Sequence, residues 1–283
     1  MDKNKQQTIK PGLYLVSTPI GNMEDITFRA LNILKKSDFI LCEDTRRSGK
    51  LLSQFNIKSK LLSYHKFNEK KISEIIINKL KKNNIISLIS DAGTPTISDP
   101  GMILINRCIN ENINIYPIPG PSAVTSAISV TGFSDQYIFY GFLTKKENEL
   151  NNVLNSLSDL NYSIIFFVSA KKINFYLEQF KKHFFGRNIM IAKEMTKIHE
   201  NFIRGKVESI NSLPEGFKGE LTVVISEKKE EKKIRKEITE SVRMEIRKML
   251  KKYSLKDVVE FISKKENLQK KTVYNYCLKL KNK

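Results

Sequence analysis

Cysteine and histidine are scarce in this 283-residue chain, with three of each, and their scarcity argues against two ways of stabilising a fold. Cys42, Cys108 and Cys277 lie far apart without a C-x-x-C pair, and the histidines lack zinc-ligand spacing, so neither a disulfide framework nor a metal site is indicated. No apolar run approaches the roughly 18 residues that a membrane span needs. The opening residues, MDKNKQQTIK, have no apolar leader core. We therefore predict a protein of the reducing cytoplasm that binds no metal and no membrane.

Acidic residues are also in short supply. The chain has 30 acidic against 49 basic side chains, a net charge of +19, and such a field attracts polyanions such as nucleic acid. Lysine outnumbers arginine by 40 to 9, and Ile and Asn are abundant, as an AT-rich coding sequence would also give, so charge alone leaves the question of RNA or DNA binding open. Residues 228–283 hold 19 basic and 8 acidic side chains, so the tail carries most of the excess.

Apolar runs typical of strands alternate with amphipathic helical stretches through the first half of the chain, which predicts βαβ units and a mostly parallel sheet. The apolar runs of residues 162–226 predict a second, mixed sheet. After it come a charged helical stretch (227–252) and two short amphipathic helices around ENLQ, either a nucleic-acid-binding module or a solvated tail. We predict α/β domains over residues 11–119 and 120–227 and a small basic helical module over residues 228–283.

Three loops rich in glycine and proline follow predicted strands: STPIGNMEDIT (17–27), SDAGTPTISDPG (90–101) and PIPGPSA (117–123). Ligands of open α/β sheets bind beyond the carboxyl ends of the strands. These loops contain no Lys, no Arg and no G-x-G-x-x-G, but they supply Glu24, Asp25, Asp91 and Asp99, which would repel a phosphate unless a metal intervened. A ligand with ribose hydroxyls, an amino group and a sulfonium charge fits better, and S-adenosylmethionine is such a ligand.

Longer motifs carry a resemblance to a known family. The segments GLYLVSTPIGNMEDITFRALNILKKSDFILCEDTRRSGKLL, SYHKFNE, SDAGTPTISDPG, PIPGPSAVTSAIS, YGFL, KEMTKIHE and GELTVVI occur in this order. From about residue 11 to residue 225 the chain resembles the bacterial ribosomal RNA small subunit methyltransferase I family, within the tetrapyrrole methylase-like superfamily. The resemblance implies two α/β domains with S-adenosylmethionine in the cofactor cleft between them, a homodimer, and 2′-O-methylation of a cytidine ribose in the decoding region of 16S ribosomal RNA. The substrate is then either naked RNA or the assembled small ribosomal subunit.

The resemblance also implies the site residues. Cofactor contacts fall on the three loops and on two segments that close the pocket: Thr18, Pro19, Asp91, Ala92, Gly93, Thr94, Ile97, Ser122, Ala123, Phe142, Leu143, Met195 and Thr196. Motif residues with positive or aromatic side chains are our predicted RNA contacts: Arg29, Arg46, Arg47, His65 and Lys197. His65 could contact RNA or act as a base, but a lone histidine at the end of a strand more often satisfies a local hydrogen bond.

Methyl transfer to a ribose hydroxyl needs collinear oxygen, methyl carbon and sulfur, and a group that accepts the hydroxyl proton. We predict Glu194 as the first choice of acceptor, or as an anchor for the methionine end of the cofactor, with Asp44 and Glu43 as alternatives. Lys193 or Arg46 could stabilise developing negative charge. The CEDTRR segment has an alternative interpretation beside catalysis, in which a carboxylate–arginine pair fixes the conformation of a loop.

One segment departs from the family. The chain has SAKK at Ser169–Lys172, where members usually show Glu-Ser followed by a basic pair, and Lys193 stands where Arg is usual. This departure motivates one alternative, a ribosome-binding protein that has lost catalysis. A second alternative is a superfamily methyltransferase that acts on another substrate, which the basic tail and CEDTRR argue against.

Overall fold

The structure is a computed structural model that describes residues 8–214, 216–228, 238–266 and 268–281. The chain divides into two compact units, Met1–Lys228 and Lys229–Lys283. The larger unit contains two five-stranded sheets, so the α/β fold predicted from sequence is confirmed. The division of this unit at residue 119 stays a prediction, as does the exact start of the tail.

The first sheet is built from five short parallel strands: β1 (Gly12–Val16), β2 (Phe39–Cys42), β3 (Lys60–Ser63), β4 (Ile85–Leu88) and β5 (Ile115–Ile118). Their spatial order is β3-β2-β4-β1-β5. Strands such as β2 (FILC) are apolar without alternation because helices bury both faces of the sheet. The sequence did not predict β3, because its half-exposed KLLS stretch at the end of the sheet lacks a long apolar run.

Helices follow each of these strands: α1 (Phe28–Lys36), α2 (Thr45–Gln54), α3 (Glu69–Leu80), α4 (Met102–Asn110) and α5 (Ala123–Ser129). Side chains alternate across β1, so Tyr14 and Val16 pack with the α1 face of the sheet while Leu13 packs with the α3 and α4 face. Cys42 and Cys108 are fully buried in these two cores.

The second sheet is mixed, again as predicted. It contains β6 (Tyr137–Phe142), β7 (Ser163–Ser169), β8 (Asn188–Lys193), β9 (Asn201–Lys206) and β10 (Glu220–Ile225), in the order β6-β7-β10-β8-β9. Strands β6 and β7 are parallel, and the other described neighbours are antiparallel. Helices α6 (Glu147–Ser158) and α7 (Ile173–His183) cover one face.

The opposite face of the second sheet packs against α5. Val124 and Ala127 of this helix share a buried cluster with Ile165, Met190 and Val224 of the sheet. Helix α5 follows β5 of the first sheet but packs on the second sheet. The loop between β5 and α5 therefore brings the two sheets together.

The smaller unit has three helices among its described residues: α8 (Glu240–Met249), α9 (Leu255–Lys265) and α10 (Lys270–Lys281). It has its own apolar core, which includes Ile246, Val258 and Cys277. The two amphipathic helices predicted around ENLQ are therefore present. The charged stretch predicted before them is helical over α8, and residues 229–237 of it lie outside the described residues. In the part of the chain that the structure describes, no helix combines the length and apolarity needed to cross a membrane.

Candidate active site

The three glycine- and proline-rich loops meet beyond the carboxyl ends of three neighbouring strands, β4, β1 and β5. Thr18 and Gly93 form an isolated antiparallel bridge with backbone N···O distances of 2.9 and 3.0 Å. The Thr94 hydroxyl lies 3.0 Å from the Ser17 hydroxyl and donates to the Pro121 carbonyl at 3.1 Å. The hydrogen bonds of Thr94 therefore tie all three loops into one rigid assembly.

The SDAGTPTISDPG loop has an unusual backbone. Thr96 and Ser98 have positive φ angles of 70° and 69°, a region that residues other than glycine rarely adopt. Gly101 has φ 141°, and an added Cβ there would lie 2.6 Å from Thr96 Cγ2. Backbone strain of this kind persists where surrounding contacts fix it, and it concentrates at ligand sites.

A cavity of about 420 Å³ opens between this loop assembly and the second sheet. That volume lies in the range of small-molecule sites. Its walls come from the loops, α5, and the ends of β6, β7 and β10. The lining residues are Ile20, Arg47, Asp91, Ala92, Gly93, Thr94, Ile97, Ser98, Asp99, Ser122, Ala123, Val124, Phe142, Phe167, Val168, Ser169, Gly219, Glu220, Leu221 and Thr222. We call this the inner cavity.

Most of the predicted cofactor residues line the inner cavity: Asp91, Ala92, Gly93, Thr94, Ile97, Ser122, Ala123 and Phe142. The others lie outside its lining. Thr18 is buried and donates to the Ser90 carbonyl, so it shapes the neighbouring loop. Pro19 is buried beside it, Leu143 belongs to the core of the second sheet, and Met195 packs between the sheets. The Thr196 hydroxyl accepts from the Asn22 amide at 2.9 Å and so holds the first loop.

Sequence reasoning missed the wall that the second sheet provides. Phe167, Val168 and Ser169 end β7, and Gly219 to Thr222 begin β10. In the antiparallel pair of β7 and β10, Ser169 pairs with Glu220, which brings the end of one strand beside the start of the other. The sequence signals for this wall were Ser169, which begins the SAKK departure, and the glycine that opens the quoted GELTVVI run.

The inner cavity is acidic, because its described lining has Asp91, Asp99 and Glu220 against one cation, Arg47. Arg47 donates to Asp91 at 3.3 Å. Asp99 has no hydrogen-bond partner among the described residues; burial, and then the negative charges of Glu43 and Asp91, raise its pKa to about 6. A bound cation would relieve this unfavourable charge.

A second, more open cavity of about 500 Å³ lies beyond the carboxyl ends of β2 and β3. It is lined by Glu43, Asp44, Thr45, Arg46, Arg47, His65, Phe67 and Asp91. We call this the outer cavity. Arg47 and Asp91 line both cavities, so the two are contiguous along one end of the first sheet. Three predicted RNA contacts, Arg46, Arg47 and His65, are brought together here.

The outer cavity contains two local interactions that the sequence offered as alternatives to a role in catalysis or RNA binding: a carboxylate–arginine pair in CEDTRR and a hydrogen bond of the His65 ring. Asp44 caps the start of α2 by accepting from the Arg46 amide, and it also binds the Arg46 guanidinium through two hydrogen bonds of 3.2 and 2.8 Å. These hydrogen bonds hold the pKa of Asp44 far below its usual range. His65 Nδ1 accepts from the Phe67 amide at 3.3 Å, so this ring does satisfy a local hydrogen bond.

Glu194 does not line either cavity. The chain turns directly after β8, because Glu194 has φ 50°, and its side chain crosses Gly219. Its carboxylate accepts from the Glu220 amide at 2.7 Å and from Lys197 Nζ at 3.0 Å. The backbone hydrogen bond from Glu220 is the main cause of its lowered pKa, which Lys197 and Lys193 lower further.

The remaining predicted basic residues lie apart from both cavities. The Lys193 ammonium sits 4.5 Å from the centre of the Phe217 ring, and Lys197 pairs with Glu194 and Glu220. Arg29 is exposed on α1. The roles predicted for these three residues stay predictions.

Comparisons with known proteins agree with this architecture. Residues 12–211 match the family model described as Tetrapyrrole (Corrin/Porphyrin) Methylases. A cobalt precorrin-4 methyltransferase structure covers 76% of this chain and 94% of its own, with a TM-score of 0.58 and 14% identity, a likeness of fold alone.

Other relatives are similar in sequence. A protein of Thermotoga maritima named ribosomal RNA small subunit methyltransferase I is 45% identical over 219 residues, which cover 76% of this chain and 98% of the relative. A protein of the same name from Buchnera aphidicola is 37% identical over 277 residues, covering 94% of this chain and 96% of its own, and so extends into the smaller unit. The chain therefore belongs to the ribosomal RNA small subunit methyltransferase I family, within the tetrapyrrole methylase superfamily.

Proposed function

We propose that this protein transfers a methyl group from S-adenosylmethionine to a ribose 2′-hydroxyl of a cytidine in 16S ribosomal RNA, within the small ribosomal subunit. Family membership supports a methyltransferase that acts on small-subunit ribosomal RNA. The observation that carries the cofactor assignment is the acidic inner cavity built by the SDAGTPTISDPG loop.

The residues of the inner cavity fit S-adenosylmethionine. Ala92, Gly93 and Ala123 have small side chains, so a ligand can approach the backbone closely. Apolar surface suited to an adenine ring comes from Ile97, Phe142, Phe167 and Leu221. The carboxylate of Asp99, unpartnered among the described residues, together with Asp91 suits hydroxyl donors and a cation and disfavours phosphates. When bound, the cofactor supplies a methyl group activated by a sulfonium charge.

The outer cavity would hold the nucleotide that receives the methyl group. Arg46 and Arg47 are 87% and 69% exposed in their side chains, so they are available to a phosphate. Asp91 accepts hydrogen bonds from the Arg47 side chain and from the Asp44 amide. It therefore holds the boundary between the two cavities, where the cofactor and the nucleotide would meet. This preorganised boundary would orient the ribose oxygen toward the inner cavity.

We propose Glu43 as the group that accepts the hydroxyl proton. Three carboxylates line the outer cavity, and two of them are engaged: Asp44 with Arg46, and Asp91 with Arg47. Glu43 is exposed and has no hydrogen bond or ion pair among the described residues. Glu194, whose carboxylate is bound and whose pKa is lowered, would instead be a positioning residue that holds the start of β10 against the inner cavity.

The test is incubation of the protein with labelled S-adenosylmethionine and small subunits that lack the modification, followed by mapping of the label. We expect label on the 2′-oxygen of one ribose of 16S RNA. Absence of label from 16S RNA, in a protein that binds the cofactor, would reject the proposed substrate. Binding of subunits without binding of S-adenosylmethionine would instead favour a ribosome-binding protein that has lost catalysis.

The departure from the family pattern at Ser169–Lys172 bears on the alternative that the protein has lost catalysis. Ser169 ends β7 and lines the inner cavity, while Ala170–Lys172 form a single 3₁₀ turn. A serine there leaves the cavity open and adds no charge to it. The departure therefore changes one wall of the site and leaves the loops that would hold the cofactor intact.

A further inference from the structure

Three large apolar side chains among the described residues are more than 90% exposed, Phe28, Phe67 and Ile198, and of these Phe67 alone lines one of the two cavities, the outer one. The His65 ring lies beside it in an edge-on arrangement, with the ring centres 6.0 Å apart and the planes at 64°. At 94% exposure almost the whole Phe67 side chain is left uncovered by the described residues, so the ring marks a surface that a ligand could cover.

The turn that carries Phe67 is rigid. The Asn68 side chain accepts from the His65 amide at 2.9 Å and donates to the Ser63 carbonyl at 3.1 Å. The His65 carbonyl accepts from the amides of Asn68 and Glu69, both at 3.0 Å. The backbone that carries the ring is thus held in place before any ligand arrives, and a ligand that stacks on the ring need not order the turn.

The surroundings of Phe67 define the chemistry of that ligand. Arg46 and Arg47 bring two guanidinium groups to the same cavity, and each is already anchored by a carboxylate. An aromatic face beside anchored cations suits a group that combines a flat ring with negative charge. A nucleotide, with a base and a phosphate, has this combination.

We propose that Phe67, flanked by His65, is a stacking platform for the base of the nucleotide that is methylated, taken out of its helical stack into the outer cavity. The inference rests on the proposed function, because it concerns the substrate of the same site. The outer cavity shares Arg47 and Asp91 with the inner cavity, so a base on Phe67 leaves its ribose at the shared boundary. Enzymes that modify a nucleotide in folded RNA commonly expose it in this way.

A second copy of this chain, or an apolar peptide, could also cover an exposed phenylalanine. The two guanidinium groups favour the nucleotide, because an apolar partner would leave them without a counter-charge beyond the carboxylates they already contact.

The first test compares Phe67→Ala with Phe185→Ala. Phe185 is 75% exposed in the turn before β8 and lines neither cavity, so it is a matched control. We expect Phe67→Ala to lower kcat/KM for unmodified small subunits by roughly 5- to 150-fold, the worth of one stacked base, and Phe67→Tyr to restore it. Affinity for S-adenosylmethionine and the melting temperature should not change in either alanine variant.

The second test does not depend on methyl transfer. The chain has no tryptophan, so Phe67→Trp introduces a single indole at the platform and Phe185→Trp introduces one at the control site. We expect a short single-stranded oligocytidylate to quench the indole at position 67 and not the one at position 185. Inorganic polyphosphate, which carries charge without bases, should quench neither.

These two tests separate the platform from the proposed function. If the wild-type protein does not methylate small subunits but oligocytidylate quenches the indole at position 67, the proposed function fails and the platform stands. If the wild-type protein is active and Phe67→Ala behaves as Phe185→Ala, the platform is wrong. A Phe67→Ala variant that changes only the oligomeric state in sedimentation would overturn the platform in favour of contact with a second copy.

Discussion

The inner and outer cavities lie side by side at one end of the same sheet, yet they differ in enclosure and in charge. The inner cavity is walled by two sheets, holds small and apolar side chains, and contains a carboxylate with no partner among the described residues. The outer cavity is open and presents two exposed arginines and an exposed aromatic ring beside its three carboxylates. The contrast supports an enclosed site for a compact cation next to an open one whose exposed guanidinium groups could contact a phosphate, with the Arg47–Asp91 ion pair at the boundary between them.

The strongest test of the outer cavity is Glu43→Gln. This change keeps the shape of the side chain and removes its negative charge. Glu43 is the carboxylate of the outer cavity that has no hydrogen bond or ion pair among the described residues. If Glu43 accepts the ribose proton, the rate of methyl transfer should fall by roughly 100-fold or more, the usual worth of a general base. Calorimetry should show unchanged S-adenosylmethionine binding, and a wild-type rate would remove Glu43 from the mechanism.

Asp91→Ala tests the shared boundary. Loss of a hydrogen bond that involves a charged group should weaken S-adenosylmethionine binding by about 1.5–3 kcal/mol, without unfolding the protein. RNA binding should change as well, because Arg47 loses its carboxylate partner. Calorimetry measures the first effect, and a folded variant with wild-type cofactor affinity would reject the predicted role of Asp91.

Deletion of residues 228–283 should weaken binding of the polyanionic RNA and leave cofactor binding unchanged. The segment carries 19 basic and 8 acidic side chains and includes a unit with its own core. Binding of subunits at low salt should weaken by about tenfold or more, and the slope of its salt dependence should become shallower by about 0.7 to 0.9 for each phosphate that the tail neutralises in the intact protein. Cofactor binding should survive, and an unaltered salt slope would mean that the tail does not touch RNA.

The pH dependence of cofactor binding should report on Asp99. Its pKa is raised to about 6 in the free protein, chiefly by burial, and a bound cation should lower it. Binding below pH 6 then requires loss of a proton, so affinity should be full at neutral pH and fall about tenfold by pH 5. Asp99→Asn should bind more weakly at pH 7 and lose this pH dependence; a variant that keeps it would assign the titration to another group.

Glu194→Gln should have the smallest effect. As a positioning residue, Glu194 holds the Glu220 amide and Lys197, so the change should reduce cofactor affinity a few-fold and stability by about 1 kcal/mol at neutral pH. Because its folded-state pKa is lowered, this stability is present above the ordinary glutamate pKa and is lost as pH falls through the folded value. Normal affinity with a rate loss of about 100-fold would restore Glu194 as the proton acceptor.

Sequence predicted the inner cavity better than the outer one, for a physical reason. The loops after β1, β4 and β5 are recognisable by their glycine and proline, and parallel topology alone brings them together. The opposite wall depends on the antiparallel pairing of β7 with β10, whose register cannot be read from either strand. Likewise, nothing in KEMTK shows that the chain turns at Glu194.

Exposure is the other property that sequence could not supply. Phe67 reads as an ordinary apolar residue in SYHKFNE, and only the structure shows its ring in water on a turn fixed by Asn68. Asp99 was visible as one of four loop carboxylates, but its burial without a described partner follows from where the loop folds back over β4.

The most direct test of the two-cavity assignment is a crystal structure with S-adenosylhomocysteine bound. We predict that this molecule occupies the inner cavity, in contact with the Asp91–Thr94 segment and with Ser122, and that its sulfur points toward the boundary formed by Arg47 and Asp91. Density for the ligand in the outer cavity or elsewhere on the chain, with the inner cavity empty, would contradict the assignment.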